Sequence, residues 1–478
     1  MGDEINRAHF VADDYLAFDA RLREETDLLE RLFTDGGFST RAPVCGLEIE
    51  AWLIDGEGLP APVNSRFLTL LNDPMVVPEL ARFNFELNVT PQPLADGALS
   101  ALEAALTTTW QRCAQAAAGL GCRTLMIGIL PTLRPEDLTL ANMSDMKRYR
   151  ALNEQVLRLR EGRPIELDIH GREQLSLLHR DVMLEAAATS LQLHLKVRPE
   201  QAARYYNLSQ ILSAPLLAAA TNSPYLFGKD LWEETRIPLF EQAVAVGGFA
   251  GAARGPLRRV SFGSGYVHHS LFECFRENQA HFPVLLPICF DTPAEKFSHL
   301  RLHNGTIWRW NRPLVGFDGD GTPHLRIEQR VLPAGPTLHD AIANAALYFG
   351  LVRVLGEGDG ASIEQLPFAT ARDNFYAAAR EGLDAQLVWF DGCRIPAQRL
   401  LLEELLPQAD EGLELLGIGY ADRRNYLGSL YRRIDLGRTG SRWQRRFVER
   451  NGRDPRALTE QYYLRQCSGE PIHQWSDG

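Results

Sequence analysis

The chain has 478 residues, of which 45% are hydrophobic and 23% charged, and its formal net charge is −11. That composition excludes a disordered chain, and the acidic balance excludes nucleic-acid binding through a general basic surface. Seven cysteines, without CxxC pairing or Cys/His zinc spacing, fit a reducing compartment in which thiols serve as small apolar residues.

The N-terminus, MGDEINRAHFVADDYLAF, has no basic segment followed by an apolar run, so no signal peptide is expected. No apolar stretch reads as long enough to span a bilayer, and the expected location is the cytoplasm, with neither membrane nor nucleic acid as a partner. Residues 10 to 34 read as an amphipathic helix, with Phe18, Leu22, Leu29 and Leu32 at helical spacing. STRAPVCGLEIEAWLIDGEGLP then alternates and ends at the turn signal Asp55-Gly56, and ARFNFELNVTPQPL alternates again. LSALEAALTTTWQRCAQAAAGLG predicts a helix closed by glycine, followed by a short strand RTLMIGILP. TSLQLHLKV is another alternating strand, leading into a helix that begins near Pro199. GTIWRWNRPLVGF and PHLRIEQRVLP flank Asp318-Gly319-Asp320-Gly321 as the arms of a hairpin. Beyond residue 338 the pattern is helical. The expected organisation is an α+β body over residues 1–337 and a helical region over 338–478 packed on the same body.

The alternating strands share one property. Their polar faces carry Glu48 and Glu50; then Asn84, Glu86 and Asn88; then Ser190, Gln192, His194 and Lys196; then Arg326, Glu328 and Arg330. Two carboxylates at period two point from the same side of a strand and repel each other. Any one of these strands fits a solvent-facing antiparallel sheet. Together, four carboxylates and an imidazole make a donor set for Mg²⁺ or Mn²⁺, whose charge would relieve that repulsion. The arginines are then free for phosphate oxygens or a substrate carboxylate, so a metal–triphosphate site is the sharper reading.

In order along the chain, GLEIEAW, FNFELNVTP, MSDMKRYRALNE, TSLQLHLKV, ATNSPYLFGK, HNGTIWRWNRP and LRIEQRVLPAGPT resemble the motifs of the glutamate–cysteine ligase family, in its second, bacterial and plant-related branch. The resemblance covers residues 40 to 390. It departs at Ile129 and Leu130, where that family often carries Thr and His. It implies a glutamine synthetase-like fold, a six-stranded curved antiparallel sheet forming a funnel flanked by helices. ATP would enter one end and an amino acid the other. It also implies that Glu48, Glu50, Glu86, His194 and Glu328 hold two or more Mg²⁺ (or Mn²⁺) ions, Glu50 and Glu86 sharing one and Glu48, His194 and Glu328 another. Arg330 would hold the transferring phosphoryl group, and Glu328 with Arg330 would be the catalytic pair. The implied activity is ATP-dependent amide formation between the side-chain carboxylate of glutamate and an amine, cysteine first among acceptors, through an acyl phosphate. A homodimer is open. Two rivals remain at this stage: a phosphotransferase on the related guanidino-kinase fold, and a catalytically silent relative that keeps the sheet.

Weaker signals surround this set. Arg309 and Arg312 either bind phosphate or carboxylate, or stack on Trp308 and Trp310. Arg236 either faces the substrate or forms a surface ion pair with Glu233 or Glu234. Asn304 and Thr306 are candidate polar lining. VSFGSGYVHHS, without a Walker lysine, reads as a mobile loop over the site or a plain turn, and TGSRWQRRFVERNGR as a solvated helix face.

Overall fold

The computed structural model describes residues 4–5, 7–246, 258–357 and 363–476. Its centre is an eight-stranded sheet, and every pairing in that sheet is antiparallel. The strands are β1 (Val44–Ile54), β2 (Val76–Pro78), β3 (Asn84–Asn88), β4 (Gln92–Pro93), β5 (Arg123–Leu125), β8 (Ser190–Val197), β9 (Asn311–Phe317) and β10 (Pro323–Pro333). Six of them run side by side in the order β9-β10-β8-β1-β3-β2, while β4 and β5 add short pairings to β1. Between β5 and β8, β6 (Ile165–His170) and β7 (Gln174–His179) form a separate hairpin.

The alternation in sequence becomes a two-faced sheet. Cys45, Leu47, Ile49 and Ala51 of β1, Phe85 and Leu87 of β3, and Leu191, Leu193 and Leu195 of β8 are all buried in the core. Helix α4 (Pro199–Ala220) and helix α8 (Leu338–Glu357) pack together, and α4 also packs on β8 and β10. A sheet whose second face were open to water would expose its polar residues. Here Glu86, His194 and Glu328 are also buried, at 0%, 6% and 2% exposure, so this polar face is covered as well. The cover comes from other parts of the chain. These include α3 (Lys147–Leu159), the 3₁₀ turn Val182–Ala187, α5 (Arg236–Ala243), α6 (Phe272–His281) and α7 (Ser298–Gly305), all of which contribute residues to one cavity. The long N-terminal helix α1 (Ala12–Asp35) packs against α6 and α7, and α2 (Ala98–Ala118) packs on α8.

Several expectations change. The segment after residue 123 is strand only over Arg123–Leu125. Helix α8 is, by length and composition, apolar enough to cross a bilayer (mean hydropathy 1.2 over its best window), but 78% of that window is buried inside the protein. Its apolarity serves the core. The basic helix α11 (Gly440–Asn451) is no solvated face: Trp443, Gln444 and Arg445 are buried, Trp443 lies against Tyr462 and Trp475, and Arg445 pairs with Asp230 at 2.7 Å and with Glu233. Beyond residue 338 the described residues are mainly helical, including α9 (Phe368–Glu381), α10 (Tyr420–Asp435) and α12 (Pro455–Ser468), with one short hairpin at Gln386–Val388 and Arg394–Pro396.

Candidate active site

Strand register decides which polar residues meet. Glu50 lies directly opposite Glu86, Glu48 opposite Gln192, His194 opposite Glu328, and Glu328 in turn opposite Arg312. Five neighbouring strands therefore build one continuous polar row, floored by the apolar face behind it. Arg330 keeps the alternation of Arg326 and Glu328, and directly after it the register shifts: one extra residue of β10 sits between the pairings Gln329–Leu193 and Leu332–Leu191, a β-bulge.

The row holds two groups of ligand atoms, each with all its members within 4.8 Å of one another. They are Glu48, His194 and Glu328, and Glu50, Glu79 and Glu86. Glu79 was missed by the sequence reading. It follows β2 directly, in a turn with no alternation to mark it, and the β2–β3 pairing brings it beside Glu86.

The two groups differ in charge balance. In the first, Glu328 accepts two hydrogen bonds from Arg312, at 2.5 and 3.0 Å, and lies 3.3 Å from Arg330. Burial pushes the Glu328 carboxyl up, but Arg312, Arg330 and His194 outweigh it and hold the group well below the usual carboxylate range. Glu48 behaves likewise: burial opposes ionisation, yet His194, 3.1 Å away, brings it down to about 2. In the second group the cations weigh less: Arg330 and Arg236 act on Glu50 and Arg148 on Glu79, and none of them outweighs burial. Burial, then the Glu50 charge, raises Glu79 well above normal; burial, then Glu48 and Glu79, raises Glu86 in the same direction. Glu50 is raised more modestly. Burial leads, but Arg330 opposes it, and its oxygens accept from the Ser190 amide (2.7 Å) and from Gln192 (3.0 Å). Gln192 also accepts from Arg330, so Glu50, Gln192, Arg330, Glu328 and Arg312 form one hydrogen-bonded and ion-paired chain.

Divalent cations fit these groups. Glu79 Oε1, Glu86 Oε2 and Nδ1 of His194 are buried without a hydrogen-bond partner, an arrangement that is costly unless a ligand completes it. The donors are carboxylate oxygens with one imidazole, the chemistry suited to Mg²⁺ or Mn²⁺.

The groups open into a cavity of about 450 Å³, large enough for a ligand of nucleotide size. Arg326, Arg312 and Arg330 line it from β9 and β10. Arg326 is two residues before Glu328 on the same face, and its Nε is buried with no hydrogen-bond partner. It was on the predicted polar face, among the arginines expected to be free for phosphate oxygens or a substrate carboxylate, but was not singled out there. On the far wall stand Arg148, Tyr149 and Glu185, from α3 and the Val182–Ala187 turn, which carry no periodic signal in the sequence.

The weaker candidates divide. Arg309 does not reach the cavity; it is buried against Asn278 (2.6 Å) and Glu277 and lies over Phe282. The reason is local. Trp308–Arg309 pairs in parallel with Val260–Ser261 instead of extending β9, which turns the side chain toward α6. Arg312 does line the cavity, held on Glu328 and not on either tryptophan. Arg236 also reaches it, and its partner is Glu234 at 2.9 Å, but the pair is buried, at 2% and 0% side-chain exposure, so the surface ion pair is wrong. Asn304 and Thr306 lie on the wall with their own bonds made, Asn304 to Asn278 and the Pro313 carbonyl and Thr306 to the His303 carbonyl, so they act as framework. In VSFGSGYVHHS the amides of His268, His269 and Ser270 all donate to Glu273, which makes this segment the turn leading into α6.

With this geometry in hand, the chain can be compared with known proteins. Its sequence matches the profile of glutamate–cysteine ligase family 2 over residues 44–463. No curated protein sequence matches it. Among solved structures it is similar to the glutamate–cysteine ligase of Francisella tularensis in complex with AMP, with 11% identity and a TM-score of 0.53, covering 92% of this chain and 91% of that one. It is also similar to a bifunctional glutathione synthetase from Pasteurella multocida, with 12% identity and a TM-score of 0.51, covering 93% of this chain and 55% of that one. The curved antiparallel sheet with outer helices is the expected glutamine synthetase-like fold, and it is the family match that sets the guanidino-kinase alternative aside. The chain belongs to glutamate–cysteine ligase family 2 and is an ATP-dependent carboxylate–amine ligase.

Proposed function

We propose that this enzyme joins the side-chain carboxylate of glutamate to an amine, with cysteine first among acceptors, through an acyl phosphate, and that it works in the cytoplasm. The observation that carries the reading is the pair of ligand groups, Glu48–His194–Glu328 and Glu50–Glu79–Glu86, side by side on one buried sheet face with Arg326 and Arg330 beside them. Those six residues would hold Mg²⁺ ions. When bound, the ions would neutralise the triphosphate and the charge that develops on the transferred phosphoryl group.

The chain's own residues have the remaining work. Arg330, held by Gln192 and Glu328, and Arg326, whose Nε has no hydrogen-bond partner, hold phosphate oxygens in line. Arg312 fixes Glu328, and Gln192 fixes Glu50, so the donors are ordered before substrate arrives. The substrate carboxylate attacks the γ-phosphorus and ADP leaves. The acceptor's ammonium gives up a proton, the free amine attacks the acyl carbon, inorganic phosphate departs and, with loss of a second proton, an amide remains. Catalysis is positioning and electrostatics, with no protein nucleophile needed. Every residue given a role lies before residue 338, which supports reading 1–337 as the catalytic body and 338–478 as a helical region packed on it.

The test is phosphate release by purified protein with Mg-ATP, glutamate and a panel of amines, with product mass alongside. Amine-dependent release is expected, and none across a broad panel would sink the reading. Arg326→Ala is expected to raise the KM for ATP by about tenfold, the scale of one charge-assisted hydrogen bond, with little change in the KM for the amine. An unchanged KM for ATP would remove Arg326 from the phosphate site.

A further inference from the structure

Once the two ligand groups and the phosphate-facing arginines are assigned, two polar side chains on the cavity wall still have no partner. Glu185 extends from the Val182–Ala187 turn, and its Oε2 is buried with no hydrogen bond. Asn84 is 3% exposed, stands two residues before Glu86 on the same face of β3, and neither its amide oxygen nor its amide nitrogen has a partner. Both belong to the Glu50–Glu79–Glu86 end. After burial, the charge that acts most on Glu185 is Glu50, with Arg330 and Arg148 opposing. Arg148 and Tyr149, joined by a 2.7 Å hydrogen bond, line the cavity as well.

Buried acceptor oxygens without donors call for a ligand that brings donors. A buried carboxylate oxygen with no hydrogen-bond partner calls for one that brings a donor and positive charge together. An amine reaching this enzyme at neutral pH is an ammonium ion, with N–H donors and a positive charge together. We propose that Glu185 and Asn84 form the subsite for the ammonium group of the acceptor, which makes the acceptor a cationic amine. This rests on the ligase reading above. Glu185 Oε2 and Asn84 Oδ1 accept from the ammonium, and Asn84 Nδ2 remains to donate to a second polar group of the acceptor. Burial raises the empty Glu185 carboxyl to about 7, and an ammonium beside it holds it ionised. Neither residue is marked by the sequence pattern as a site: Asn84 looks like one more polar residue on a strand, and Glu185 lies in a turn.

The α-ammonium of glutamate has the same chemistry, so the experiment has two arms. In steady-state assays with Glu185→Gln and Asn84→Ala, the KM for L-cysteine, or for whichever panel amine the wild type uses best, is expected to rise at least about tenfold. The KM for glutamate is expected to stay within about twofold. A rise confined to glutamate, or no rise at all, overturns the assignment. Independently, L-cysteine and ethylamine are titrated calorimetrically into the full-length protein loaded with Mg-ADP. Binding that Glu185→Gln weakens by about tenfold supports the subsite even where no phosphate is released, in which case the ligase reading alone fails. No binding by the wild type, or equal binding by the variant, overturns the subsite. Glu185→Gln keeps the side chain's shape and removes a carboxyl that burial disfavours more than Arg330 and Arg148 favour it, so its melting temperature is expected to match or exceed that of the wild type.

Discussion

Glu86→Gln is expected to abolish amine-dependent phosphate release, by at least about 10²-fold, while the melting temperature stays the same or rises. The activity loss follows from removing a donor of the Glu50–Glu79–Glu86 group, since even residues that only orient metal ligands are worth about 10- to 100-fold. The stability follows from the charge balance. Glu86 is fully buried, its Oε2 has no partner, and its neighbours Glu48, Glu79 and Glu50 are all carboxylates. A neutral amide of the same shape relieves that repulsion. Glu328→Gln is expected to behave differently. It also ends turnover, but it leaves Arg312 and Arg330 facing a neutral group in a buried site, which costs about 3–5 kcal/mol. Steady-state assays and thermal melts of the two variants side by side check the contrast. Equal destabilisation would mean that the two groups are not electrostatically distinct, and full activity in Glu86→Gln would remove it from the site.

That contrast was out of reach of the sequence. Alternation in GLEIEAW, FNFELNV, SLQLHLK and LRIEQRV put Glu48, Glu50, Glu86, His194 and Glu328 on polar faces, because a strand's period of two is a local property. What alternation cannot supply is strand order and register. Those two decide that Glu50 faces Glu86 and that His194 faces Glu328. Nor can it supply residues outside the strands, so Glu79 and Glu185, between elements and in a turn, and Arg148, on α3, had no alternation to mark them, although they line the cavity. Arg309 failed for a related reason. The run IWRWNRP looks like one strand but is broken at Trp310, and the first half pairs elsewhere, so the side chain faces away. The basic helix α11 misled because composition reports charge but not partners. Asp230 and Glu233, more than two hundred residues earlier, neutralise Arg445 inside the protein.

The same electrostatics predict how stability depends on pH and on metal. In excess EDTA the melting temperature is expected to fall as the pH rises from about 5 to 8, and Mg²⁺ or Mn²⁺ is expected to reverse the fall. Glu79, Glu86 and Glu50 have folded-state values above the ordinary 4.5, and Glu185 lies near 7. A carboxyl raised on folding favours the folded state fully below its unfolded value and loses that contribution as the pH climbs through its folded value. Glu48, held at about 2, and Glu328, also lowered, act in the opposite sense: their contribution is present above 4.5 and lost in acid. The metal-free protein should therefore be most stable in mild acid, with one limb falling toward low pH and another toward neutrality. Divalent cations bind the ionised carboxylates and displace their protons, so their stabilisation grows with pH where the metal-free protein weakens. At a cation concentration about a hundred times its dissociation constant, the gain is about 2.7 kcal/mol per site. Thermal melts across this pH range, with EDTA and with Mg²⁺, measure both effects. A metal-free protein whose stability is flat or rising from pH 5 to 8 would show that the second group of carboxylates is not held uncompensated, and with it would go the strongest physical reason for placing a cation there.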